Sequence, residues 1–338
     1  MVTIYDIAKR ANVSAMTVSR VINNSGRISA GTREKVKRIM EELNYIPNST
    51  ARSLVKQETK MLSLLITDIT NPFFTTLARG AEDAAHQLGY KLLFGNSDEK
   101  LSKEKEYVDM VLSTRVDGLL FAPASDASAD HLAMLNVHRI PFVLVDREVP
   151  GVEADMVLGE NRTGAFQLME HLVSLGHRRV ALINGFGTVS TARERYAGYR
   201  EALERHRLPY DDSIVLEYGY NRFDDPAKLE RILRMPDPPT AIFAANNMLA
   251  VSIIGYLRDR GVSVPEQISV VCFEDVGMAS ELDPFLTVAV QPAYEFGYRG
   301  IELLMERIRR KEEMERQTIR LPSELIVRKS AGAPPHRL

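Results

Sequence analysis

The chain has 338 residues, 45% of them hydrophobic and 26% charged, with a formal net charge of −2 and one cysteine. This exceeds one ordinary domain and is globular rather than disordered or fibrous, and the lone Cys272 excludes an internal disulfide. The longest apolar runs, such as residues 61–66, are of strand length and no export signal is read, so a membrane span is excluded and the cytoplasm is the expected location. Charge is unevenly spread, with 11 Lys and Arg against 5 Asp and Glu in residues 1–60 and 32 against 40 in the rest. A basic amino-terminal module suits phosphate contact, whereas an acidic remainder is repelled by DNA.

Ile4, Ile7, Ala8 and Ala11 recur at helical spacing, and Thr3 with Asp6 three positions on forms a capping pair. Asn12 and Val13 make a tight break. Ser14 then caps a second helix in which Val18, Val21 and Ile22 face inward, leaving Ala15, Met16, Ser19, Arg20 and Asn23 on the opposite stripe. Two short helices across a short turn read as a helix-turn-helix, although any small three-helix module shares the pattern. A third helix begins near Ser29 and buries Val36, Ile39, Met40 and Leu43, and Pro47 closes the head. Residues 48–55 have room for two helical turns, below the ~12 residues that hold together alone in water, so this hinge needs partners to fold. A polar linker ends at Lys60.

From Met61 strand-length apolar runs alternate with helices: a strand at 61–67, a helix from Phe73 to Leu88, a strand at 90–96, a helix from Lys103 to Ser113, a strand at 117–123, a helix from Ala129 to Val137 and a strand ending at Asp146. A second series follows: helices over Thr163–Leu175, Ala192–His206, Pro226–Arg234 and Leu249–Arg260, with strands at 178–184, 240–245 and 268–274. This βαβ rhythm predicts parallel sheets with helices on both faces, in two doubly wound lobes. A last helix over Glu295–Arg309 precedes two strand candidates at 318–322 and 324–328, which suit shared use by both lobes.

Head, hinge and lobes together resemble the lactose-repressor (LacI/GalR) family of bacterial transcription regulators over essentially the whole chain. The likeness is carried by TVSRVIN at 17–23, the NYIPN and ARSL segments of the hinge, DITNPFF, VDGLLF, GHRRVALING, ARER at 192–195, PTAIFAANN and VAVQP. It implies a homodimer on near-palindromic double-stranded operator DNA, a small effector, and a core built like a periplasmic sugar-binding protein whose chain crosses between lobes near residues 160, 290 and 322. The expected domains are a DNA-binding head at 1–47, hinge and linker at 48–60, an N-lobe at 61–160 with 291–321, and a C-lobe at 161–290 with 322–338.

By this resemblance the second helix enters the major groove with Ala15, Met16 and Arg20. A guanidinium donates twice to guanine, whereas Met16 and Ala15 offer apolar contact only. Thr3, Tyr5, Ser14, Thr17, Ser19, Asn23 and Arg33 are expected to hold phosphates and set register. In a paired hinge helix Leu54 is expected to wedge between central base steps, packed and anchored by Ala51 and Arg52.

Ligands of open α/β sheets sit beyond the carboxyl ends of strands. Asp146 and Arg147, Asn246, Glu274 and Gln291 lie there, Phe73 and Phe74 can stack on a sugar face, and Arg193 adds a fork-shaped donor. With Asn71, and with Tyr220 or Phe223 as a wall, this set resembles that of monosaccharide-binding members, and the expected effector is a sugar or sugar acid. The family usually carries Asp where this chain has Glu274, so here the acid reaches one methylene further. Two rival readings are a transport receptor for sugars, which leaves the basic head unexplained, and a dinucleotide enzyme resting on GFGTVS at 185–190. That run lacks the third glycine and an acid ending a later strand. No catalytic motif, cofactor fingerprint or Cys/His metal cluster is found, and the tail carries no heptad repeat for a higher assembly.

Overall fold

The computed structural model describes residues 2–45, 58–220, 223–309 and 315–335, and it divides into two compact units, residues 1–59 and 60–338. The expected hinge, with Ala51, Arg52 and Leu54, lies outside the described residues.

The first unit contains α1 (Ile4–Ala11), α2 (Ala15–Ile22) and α3 (Ala30–Glu42). Each start has a chemical cause. Thr3 and Asp6 exchange backbone and side-chain bonds in a capping box, while Ser14 and Ser29 accept from the Thr17 and Thr32 amides. Asn12 ends α1 in the left-handed region at φ 55°. Ile7, Ala8, Ala11, Val18, Val21, Val36 and Ile39 form the core, with Ile22, Met40 and Leu43 only partly buried against it.

The second unit is built on two six-stranded sheets. Sheet A carries β1 (Met61–Ile66), β2 (Lys91–Asn96), β3 (Gly118–Phe121), β4 (Phe142–Val145), β5 (Asp155–Gly159) and β11 (Thr318–Leu321) in the order β11-β5-β4-β3-β1-β2. Sheet B carries β6 (Val180–Asn184), β7 (Val215–Glu217), β8 (Ala241–Ala244), β9 (Ser269–Phe273), β10 (Thr287–Val290) and β12 (Glu324–Ile326) in the order β12-β10-β9-β8-β6-β7. All pairings are parallel except β10 with β12. The strands β3, β4, β6, β8 and β9 are buried throughout, as parallel strands covered on both faces must be.

Sheet A is flanked by α4 (Pro72–Gln87), α5 (Leu101–Thr114), α6 (Ala129–Val137) and α12 (Ala293–Arg309), and sheet B by α7 (Asn161–Ser174), α8 (Ser190–Arg205), α9 (Pro226–Leu233) and α10 (Asn247–Asp259). A short α11 (Ala279–Leu282) follows β9. The chain leaves sheet A after β5, returns after β10 to pack α12 on α4, and finally gives β11 to one sheet and β12 to the other. Two anchors fix these returns. Arg307 on α12 forks onto the fully buried Asp155 of β5 at 2.7 and 2.8 Å. His177, kept neutral by burial that lowers its pKa, bonds Ser269 and the Gly332 carbonyl at 3.0 and 2.9 Å and so pins the tail to sheet B.

The strands β5 and β7 and helix α11 are absent from the sequence expectations. β7 is three residues and α11 four, too short for periodicity to register, and β5 opens on a buried aspartate that breaks the apolar run.

Candidate functional site

On α2 the stripe opposite the core carries the residues that the pattern placed there. Met16 is 63% exposed, so it does not pack into the head's core, and Tyr5 on α1 is 72% exposed. Arg20 is exposed, while Ala15, Thr17, Ser19, Asn23 and Arg33 are partly covered and Thr3 and Ser14 are exposed caps. The Arg33 guanidinium bonds the Asn24 carboxamide oxygen, so its charge is held at the head's surface. The stripe presents one cation, one thioether and small hydroxyls on a single helix face.

In the second unit both sheets have the strand order that creates a crevice where neighbouring connections diverge, between β1 and β3 and between β6 and β8. Strand-end residues from both lobes close around a cavity of about 30 Å³. It is lined by Asn71, Phe73, Phe74, Asp146, Arg147, Tyr220, Asn246, Glu274 and Gln291, all expected, and by Asp68, Glu99, Thr191 and Arg195, which were not. A wider chamber of about 390 Å³ shares Glu99 and Tyr220 with it and adds Lys100, Ser125, Phe186 and Thr188.

Arg193, expected beside these residues, is placed elsewhere. It lies outside this cavity and pairs instead with Asp126 at 2.7 Å and the Gly187 carbonyl at 2.9 Å. The reason is helical geometry, since the buried stripe of α8 runs through Ala192, Arg195, Tyr199 and Ala202, and a residue two positions from Arg195 points to a different face. Arg195 is the inward arginine. Its Nε donates to Asn161 Oδ1 at 2.9 Å, its Nη1 to the Ala245 carbonyl at 2.6 Å, and the guanidinium stacks 4.0 Å from the Phe273 ring.

Two lining asparagines also serve as helix caps. Asn71 Oδ1 accepts from the Phe73 amide and from Asn247 Nδ2, both at 3.0 Å, which joins the lobes. Asn246 accepts from the Leu249 amide at 2.9 Å and donates to the Tyr220 carbonyl at 3.0 Å. Phe73 and Phe74 meet edge to face at 5.2 Å. Phe223 is not on the cavity and packs on Tyr218 and Tyr256. Further cross-lobe bonds run from the Asp126 amide to the Thr188 carbonyl at 2.9 Å and from the Glu148 amide to Ser190 at 3.1 Å.

The electrostatics are unusual for a buried site. Burial raises the Asp146 pKa against the opposing pull of Arg147 and Arg195. Burial likewise pushes Glu274 up to about 7, despite its bonds from Gln291 and the charge of Arg195. Glu274 Oε1 accepts from the Gln291 amide and Nε2 at 3.2 and 2.8 Å. For Arg147 burial opposes the charge, but the Glu99 carboxylate outweighs it and holds the pKa above the ordinary value. Arg147 Nε, Tyr220 Oη and Gln291 Oε1 are buried with no hydrogen-bond partner among the described residues. Such orphans cost free energy unless a bound group satisfies them. Together they offer a guanidinium donor, a phenol that donates or accepts, and a carboxamide oxygen that accepts, around aromatic faces, chemistry for a hydroxyl-rich ligand. Among the described residues no group of three His, Cys, Asp or Glu is arranged to hold a metal ion.

Residues 3–48 match the family described as bacterial regulatory proteins, lacI family, and residues 169–331 match the periplasmic binding protein-like domain. The HTH-type transcriptional regulator DegA of Bacillus subtilis is 36% identical over 98% of each chain. A structure of the transcriptional regulator CelR in complex with cellobiose is 30% identical, covering 98% of this chain and all of that one, with a TM-score of 0.72. The Lac repressor dimer bound to operator and the anti-inducer ONPF is 28% identical, covering 98% and 99%, with a TM-score of 0.81. The relatives are transcriptional regulators, and no described helix is long and apolar enough to cross a membrane.

Proposed function

Because this chain belongs to the lacI family of bacterial regulatory proteins, we propose that it is a transcriptional repressor whose grip on a near-palindromic operator is set by a sugar or sugar acid bound between its lobes. The protein is a DNA-binding transcriptional regulator. Arg20 reads guanine, Met16 and Ala15 make apolar base contacts, and Thr3, Tyr5, Ser14, Thr17, Ser19, Asn23 and Arg33 hold phosphates. Leu54, packed by Ala51 and Arg52, wedges between central base steps. The reading makes the protein cytoplasmic and gives it no catalytic role.

The observation that carries the effector half is the ring of buried polar groups, several of them orphaned, that strand ends of both lobes aim at one cavity. With about 30 Å³ free, a sugar enters only if the lobes part, so binding and lobe movement are one event. That movement biases the segment that joins the head to the core, and a coupling of ~1–3 kcal/mol changes operator affinity about 5- to 150-fold. Homodimerisation is supported by the likeness to the Lac repressor dimer bound to operator. Selection of operator fragments from a random duplex library tests the reading. Enrichment of a two-fold-symmetric sequence supports it, and no preference over random duplex overturns it.

A further inference from the structure

We propose that Glu99 determines which ligands the cavity accepts: by occupying the Arg147 fork from within the protein, it admits uncharged polyhydroxylated ligands and rejects carboxylates and phosphates. The inference rests on the reading of the cavity as the effector site and narrows it.

Arg147 at the end of β4 has the shape for gripping an anion, since a guanidinium matches a carboxylate or phosphate through two parallel bonds. That fork is already filled. Glu99 Oε1 accepts from Nη2 and Oε2 from Nη1, each at 2.7 Å, and Nη1 also reaches the Pro123 and Ala124 carbonyls at 3.1 and 3.2 Å. The two side chains are only 4% and 17% exposed, so the pair is held away from bulk water.

The loop that carries Glu99 is fixed before any ligand arrives. Its amide donates to the Thr67 carbonyl at 3.2 Å, and both Asp98 and Glu99 sit in the left-handed region at φ 52° and 59°. Asp98 is itself tied by Asn96 at 2.6 Å and Lys103 at 2.7 Å. An incoming acid therefore competes with a tethered carboxylate at high effective concentration. Displacing it leaves two like charges in a poorly solvated pocket that also contains Asp68, Asp146 and Glu274, against Arg195 on the same wall. The Arg147 Nε makes no hydrogen bond but stands 3.5 Å from Asp146 Oδ2, so this side of the guanidinium also faces a carboxylate and leaves room for the oxygen of a hydroxyl rather than for a second acid.

The test compares wild type with Glu99→Gln and Glu99→Ala in full-length protein, by thermal shift and titration calorimetry. The panel pairs D-glucose, D-galactose and D-ribose with D-glucuronate, D-galacturonate and ribose 5-phosphate. Wild type is expected to respond to none of the anions, and at least one variant is expected to bind an anionic member tenfold or more tightly than wild type does. Anion binding by wild type as tight as by the variants overturns the proposal, and so does the absence of any gain in both variants. Responses of wild type to the neutral sugars report separately on the effector-site reading.

Discussion

Asp146 and Glu274 are counterparts: each ends the third strand from one edge of its sheet, each has a buried carboxyl, and each holds its backbone in the left-handed region, at φ 67° and 72°. Non-glycine residues seldom adopt that conformation, and its cost is tolerated where surrounding structure over-determines it. The two lobes thus present the same strained, poorly solvated acid to one cavity from opposite sides.

Glu274 makes stability depend on pH. Its folded pKa of about 7 lies above the ordinary 4.5, so the folded protein holds this proton more tightly than the unfolded chain. The contribution is fully present below the ordinary value, and it is lost as pH rises through the folded one, to a penalty of order ~3 kcal/mol. Asp146, also raised, acts with the same sign. Glu274→Gln is expected to gain on wild type in denaturation midpoint between pH 5 and pH 8, and parallel profiles would show that Glu274 ionises normally.

Arg193 and Arg195 should separate cleanly. Arg195→Ala strands the Asn161 and Ala245 oxygens and removes the stack on Phe273, a loss of ~2–4 kcal/mol in stability together with ligand binding. Arg193→Ala removes a pair whose side chains are 37% and 33% exposed, a loss under ~1 kcal/mol. Chemical denaturation and sugar titration of both variants check this, and equal losses would put both arginines in the cavity.

Gly297→Ala tests the seam between α4 and α12. A Cβ there would stand 1.9 Å from the Leu77 carbonyl oxygen and 2.6 Å from the Ala81 nitrogen, both backbone atoms that cannot turn aside. Parting the helices costs ~1–3 kcal/mol or more, which exceeds the ~1 kcal/mol that alanine gains over glycine in a helix. An unfolding midpoint equal to or above wild type would mean that the seam opens freely.

The cavity was legible in the sequence wherever a long apolar strand ended on a polar residue, as at Asp146, Asn246, Glu274 and Gln291. The same rule reaches Asp68 after β1 and Glu99 after β2, but each sits among several polar neighbours, and only the turn geometry selects one. The choice between Arg193 and Arg195 needed the register of α8, which the spacing of Ala192, Tyr199 and Ala202 carries. The caps Thr3, Ser14 and Ser29 were legible because capping is local chemistry. Pairings such as Arg147 with Glu99 join residues 48 apart in the chain, and no local pattern encodes them.

In the head, Arg20→Ala is expected to relax discrimination at one base pair by ~1–3 kcal/mol and to lower operator affinity. Leu54→Ala is expected to weaken operator binding sharply while leaving sugar binding intact. Competition binding with single-base operator variants checks the first and sugar titration the second; unchanged base preference or unchanged operator affinity would remove the assigned roles.

The most direct measurement is operator affinity, read by fluorescence anisotropy on a selected palindromic fragment, while a sugar that raises the protein's melting temperature is titrated in. A change of about 5- to 150-fold, corresponding to ~1–3 kcal/mol of coupling, is expected in wild type and is expected to vanish in Arg195→Ala. An operator affinity that stays the same with the cavity empty or saturated would contradict control of DNA binding from between the lobes.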